Sequence, residues 1–114
     1  MALKIAQSAT FRWPVKIMIP VDGGRHDSHT FDVEFARKST SDVELMVAKI
    51  ATGELTEFDA FRDLVKGWSG VVDDNGEIPF SESALKMVLD IPTAGIAILN
   101  AYKEATGEVA RRKN

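Results

Sequence analysis

Trp13-Pro14-Val15-Lys16-Ile17-Met18-Ile19-Pro20-Val21 sets a branched or aromatic apolar residue at every odd position and a proline, lysine or methionine at every even one. A period of two places Val15, Ile17, Ile19 and Val21 on one face of a strand. Residues 30–35 repeat the pattern, with Phe31, Val33 and Phe35 on one face and Asp32 and Glu34 on the other. Between them lies the polar stretch Asp22-Gly23-Gly24-Arg25-His26-Asp27-Ser28-His29, whose glycines can supply positive φ. The expectation is an antiparallel pair joined by a broad turn. Pro14 and Pro20 lack a backbone donor, so the first strand should be an edge with one side of its ladder free.

Beyond Lys38 the apolar period becomes helical. Ser41-x-x-Glu44 can form a capping box ahead of Val43, Met46, Val47 and Ile50, a stripe that should end near Gly53. Thr56 should cap a second helix with Phe58, Phe61, Leu64, Val65 and Trp68 on one buried face, ending at Gly67 and Gly70. Asn75-Gly76 marks a tight turn inside residues 71–80. Ser81 then caps a third helix with Ala84, Leu85, Val88 and Leu89 inward, which Pro92 should end. Thr93 is read as the cap of a fourth, with Ile96, Leu99 and Tyr102 inward, and Ile98 beside them, ending at Gly107. The expected architecture is α+β: one domain over residues 1–114, with a strand pair at about 12–36 packed on a helical part of about four helices at about 41–107. A basic tail follows at 108–114.

A chain of 114 residues with 45% hydrophobic and 27% charged residues has the means to build one core. Its formal charge of -3 gives no general attraction to nucleic acid or anionic lipid. Neither is expected as a partner. Cysteine is absent, which removes disulfides, thiolate metal sites and thiol nucleophiles. No apolar run approaches the roughly 20 residues of a membrane span. The start lacks the long apolar stretch of a secretory signal, so a cytoplasmic protein is expected.

The chemistry-bearing residues are sparse. His26-x-x-His29 beside Asp22, Asp27 and Asp32 is a conceivable divalent-metal set, but a glycine-containing hairpin tip is polar for solvation and too loose for a preorganised site. Aligning Gly76 with the sixth position of a calcium loop puts Val71 where the first carboxylate is needed. No serine sits in a strand-turn-helix elbow, and Asp73-Asp74 reads as a solvated turn. No catalytic residue, metal or cofactor is therefore expected, and binding is favoured over chemistry. The residues for a partner are the edge strand, with Trp13, Val15, Lys16, Ile17 and Ile19, and the basic tail Arg111, Arg112 and Lys113.

The second half, taken as an ordered pattern, resembles the tail assembly chaperones of long-tailed bacteriophages, siphoviruses among them, and of prophages. The matching run is Phe58-x-x-Phe61-x-x-Leu64-Val65-x-x-Trp68, Gly70-Val71-x-Asp73-x-Asn75-Gly76, Ile78-Pro79-Phe80-Ser81, Leu85-x-x-Val88-Leu89, Pro92, the helix to Tyr102, and the ending Arg111-Arg112-Lys113-Asn114. It spans roughly residues 31–114 and consists of packing and turn signals. The segment from Trp13 to Val21 matches no motif of that family. The resemblance implies a non-catalytic assembly protein of the host cytoplasm. It would keep the tape measure protein soluble, help recruit tail tube subunits and be absent from the mature virion. Many members are also made in a longer, frameshifted form. Self-association is a further expectation for the free edge. The rival expectations are a structural tail component retained in the particle and a small metal- or ligand-binding domain.

Overall fold

The chain is an α+β fold in which an antiparallel strand pair, extended by a third strand, is followed and covered by four helices. A computed structural model describes residues 8–107 together with Ala2, Leu3 and Ile5. The opening alternation forms β1 (Thr10–Val21), which pairs with β2 (Arg25–Ala36) without interruption from Thr10 opposite Ala36 to Val21 opposite Arg25. The turn is thus confined to residues 22–24, where Gly23 (φ 88°) and Gly24 (φ 75°) adopt the positive φ that a tight reversal needs. The broad turn expected from composition is really strand. Residues 25–30 are exposed on both faces, so they carry no apolar alternation to announce the pairing.

Two helices come next, α1 (Thr40–Thr52) and α2 (Glu57–Leu64). The cap of α1 is Ser39, whose hydroxyl accepts from the Asp42 N–H at 3.1 Å; the expected box at Ser41 lies one half-turn inside the helix. Met46 is buried and Val43 and Ile50 half-buried, while Val47 is on the exposed margin of the stripe. Gly53 ends α1 in the left-handed conformation (φ 80°), and Thr56 caps α2 by accepting from Asp59 N–H at 3.1 Å, both as expected.

Helix α2 stops at Leu64, earlier than its apolar spacing suggests, and residues 65–69 turn into β3 (Val65–Ser69), which pairs with β2. The sheet order is β1-β2-β3. Phe35 lies opposite Val65 and Glu34 opposite Gly67, which leaves Lys66 unpaired at a bulge. The extra residue resets the pleat, so Val65 and Trp68, three apart, both face the core. Such spacing imitates a helix, which is why Trp68 is correctly expected as core but wrongly expected on a helix. Its indole N–H donates to the Ile78 carbonyl at 2.9 Å, and its ring packs edge-on against Phe31 and Phe80.

A small hairpin of β4 (Val72–Asp73) and β5 (Gly76–Glu77) follows. Its turn centres on Asp74-Asn75, braced by the Asp73 carboxylate accepting from Asn75 N–H at 2.8 Å. Ser81 caps α3 (Glu82–Leu89), and α4 (Ala94–Ala105) leaves it at 102°. The joint is a turn closed by Ala94 N–H on the Ile91 carbonyl, with Pro92 at its second position and Thr93 at its third. Thr93 has φ 73° and makes no side-chain cap, contrary to expectation, because a type II turn demands positive φ there whatever the residue. The resulting phase of α4 buries Ala94, Ile98, Ala101 and Tyr102 and half-buries Leu99. It turns Ile96 outward at 66% exposure, reversing its expected orientation.

The buried side chains form one cluster under the odd face of the sheet, with α4 lying along β1 and α2 against β2 and β3. Tyr102 joins the two ends of the chain there. It packs edge-on against Phe35 and at a tilt against Phe11, and its hydroxyl accepts from Lys38 N–H at 2.9 Å. Trp68→Ala should cost about 3–5 kcal/mol in a denaturant melt through lost burial and a residual cavity. Thr93→Gly should instead raise stability by about 0.5–1 kcal/mol, as relief of backbone strain exceeds the added chain entropy; a lower melting temperature would show that the threonine is favoured in that turn.

Candidate docking surfaces

Strand β1 is an edge, and the parity of its prolines says how that edge is presented. Pairing alternates along an antiparallel strand, and Pro14 and Pro20 have the same parity. An unbroken ladder to β2 requires that the even residues direct their backbone groups away from it. The outer rim of β1 thus offers N–H donors at Arg12, Lys16 and Met18 and none at Pro14 or Pro20. Beside this rim a groove of about 740 Å³ runs to α4, with Trp13, Lys16 and Met18 on one wall and Ile96 and Asn100 on the other. Met18 is 43% exposed.

The expected partner residues divide on this geometry. Lys16 is exposed and Trp13 and Ile19 are half-buried, so all three reach the surface. Val15 and Ile17 are buried within this chain's own core. Their side chains are therefore removed from the partner set, because the odd face they share is already covered by helices. Arg111, Arg112 and Lys113 lie outside the described residues.

A second apolar surface was not anticipated. Two adjoining pockets of about 250 and 200 Å³ share Val71, Val72, Val88 and Ile91 as walls. Val72 and Met87 stand 66% and 63% exposed at the rim. Met87 falls outside the Ala84-Leu85-Val88 stripe of α3, and that mismatch was the available signal.

The groove between α1 and α2 is larger, at about 840 Å³, but ionic. Asp63 is shared by Lys38 (2.6 Å) and Lys66 (3.9 Å), and Arg62 reaches Asp59 (3.3 Å) and Glu82 (3.7 Å). The hydrogen bond from Lys38 holds the Asp63 carboxyl below the usual carboxylate range, against a smaller opposing effect of burial. A depressed carboxyl stabilises the fold above the ordinary carboxylate range, and that contribution is lost as pH falls through the folded value. Asp63 is 63% exposed, so solvent screening leaves the contribution small.

His26 pairs with Pro20 and His29 with Ile17. Three residues apart on one strand, the two imidazoles project from opposite faces and cannot share an ion. Among the described residues no group of three or more histidine and acidic side chains is placed to hold a metal. Asp73 is engaged in its own turn, and no described polar or charged residue is buried. No family model, curated protein or solved structure matches this chain. Among the described residues no single helix is long and apolar enough to cross a membrane.

A His26→Ala, His29→Ala double variant should keep its stability within about 0.5 kcal/mol of the parent, as exposed strand substitutions do. Loss of a stoichiometric metal on purification, together with a fall in melting temperature, would reinstate the histidine pair as a site.

Proposed function

We propose that this chain is a tail assembly chaperone of a long-tailed phage or prophage. In that role it binds the tape measure protein during tail morphogenesis, keeps it soluble and helps bring tail tube subunits to it. The observation that carries the reading is the ordered run from Phe58 to Tyr102, whose elements resemble that family in sequence. Physical support comes from the surface. Apolar side chains at Met18, Val72, Met87 and Ile96 stand exposed on a small chain, and exposed apolar patches suit a protein that shields aggregation-prone partners. The rim of β1 adds backbone donors for an extended segment. No catalytic role is proposed, and the working compartment is the bacterial cytoplasm, with the chain leaving before the tail is finished.

Co-expression with the tape measure protein should shift that protein from the pellet to the soluble fraction, and mass spectrometry of purified tails should find this chain absent. Stoichiometric abundance in finished tails would favour a structural tail component instead. Lys16→Pro removes an outward donor without touching the core. If the β1 rim contacts the client, this variant stays folded but solubilises less tape measure protein; unchanged solubilisation would place the contact elsewhere.

A further inference from the structure

We propose that the apolar surface around Ile19, Val72, Met87 and Ile91 is a docking site for a basic amphipathic helix of another protein. Its two pockets adjoin and share walls, with Val72 contributing to both. Neighbouring pockets that share a wall suit knobs at i and i+4 of a helix, which lie on one face about one turn apart. An extended strand would need free backbone at the surface. Here the Val71 carbonyl accepts from Ile78 N–H at 2.8 Å, and β4, only two residues long, turns just the Val72 backbone outward, too short an edge for an added strand. The walls are side chains from α3, the β4 region and the projecting hairpin, so recognition rests on shape and apolar contact. Met87 adds a flexible, polarizable side chain that can follow the shape of an incoming residue.

Charge selects the partner. The only charged residue lining the two pockets is Asp73, the only other titratable one is His29, and no lysine or arginine lines either. Asp74 and Asp90 continue from Asp73 and Ile91 and are both exposed, against one exposed cation, Lys86 beside Met87, so the rim is net acidic. A second copy meeting this surface about a two-fold axis would set acid against acid. A helix with lysine or arginine flanking its apolar stripe meets the opposite charge. This surface would serve such a helix whether or not the chain acts in tail assembly.

The test is an NMR titration of the full chain with a Leu/Lys amphipathic peptide about four turns long, beside a Leu/Glu peptide of the same pattern. The Leu/Lys peptide should shift the resonances of Ile19, Val72, Met87 and Ile91, and the Leu/Glu peptide should bind about tenfold more weakly. Val72→Lys with Met87→Lys should weaken the Leu/Lys peptide by a further factor of about ten while the Trp68 and Tyr102 resonances stay in place. If the double variant fails to fold, Met87→Lys alone gives the same readout from a solvent-facing helix position. Equal binding of both peptides would overturn the proposal. So would shifts gathered at Trp13, Met18 and Ile96, or a dimer of the free chain that the double variant dissolves. If the peptide binds as expected while the chain fails to solubilise the tape measure protein, the surface stands and the tail-assembly role falls.

Discussion

The structure depends on one row of side chains, Phe31, Val33 and Phe35 on β2, the only strand in the larger sheet with a neighbour on each side. That row is almost wholly withdrawn from water, with Val33 and Phe35 at 0% exposure. Its cover is assembled from distant parts of the chain. Tyr102 closes one end against Phe35 and Phe11, and Trp68 closes the other against Phe31 and Phe80. Fully burying a large apolar side chain is worth about 1.5–3 kcal/mol, so this row and its cover outweigh any surface ion pair in the molecule. The bulge at Lys66 follows from the same demand. Without it, Val65 and Trp68 would point to opposite faces of the sheet, and one would be lost from the core.

Much of this was legible because local and long-range preferences agree. The alternation in β1 and in residues 30–35 has no other reading, and Thr56, Ser81 and Gly53 each sit where helix ends need them. Legibility failed where one pattern serves two structures. The spacing of Phe61, Leu64, Val65 and Trp68 fits a continuous helix face, and it fits equally a helix followed by a bulged strand. Only the need of β2 for a second neighbour decides between them, and that need is not local. Residues 25–29 gave no strand signal because alternation records burial, and the projecting half of the hairpin is exposed. Ile96 looked inward because it continues an apolar spacing, yet α4 starts from a constrained turn at Pro92 and Thr93 that sets a different phase.

The same division holds for the surfaces. The edge character of β1 was readable from two prolines, whereas the burial of Val15 and Ile17 required knowing that helices cover that face. Val72 and Met87 belong to no periodic stripe, so nothing in the sequence joined them; they meet because the β4 region folds back onto α3. What remains after the core is satisfied is a set of solvated ionic groups and a few exposed apolar positions. The tail-assembly role is a proposal built on that surface and on the ordered resemblance of the second half.

Trp68 reaches the core from a strand, and Val72 and Met87 are left at the surface. Alternation along β2 makes Val33 and Trp68 a non-hydrogen-bonded pair, whose Cα atoms lie at the short separation of about 4.5 Å. An NMR spectrum of the chain should therefore contain a strong Hα–Hα Overhauser contact between Val33 and Trp68. Absence of that contact, with a helical Hα–Hβ contact from Val65 to Trp68 in its place, would contradict the account.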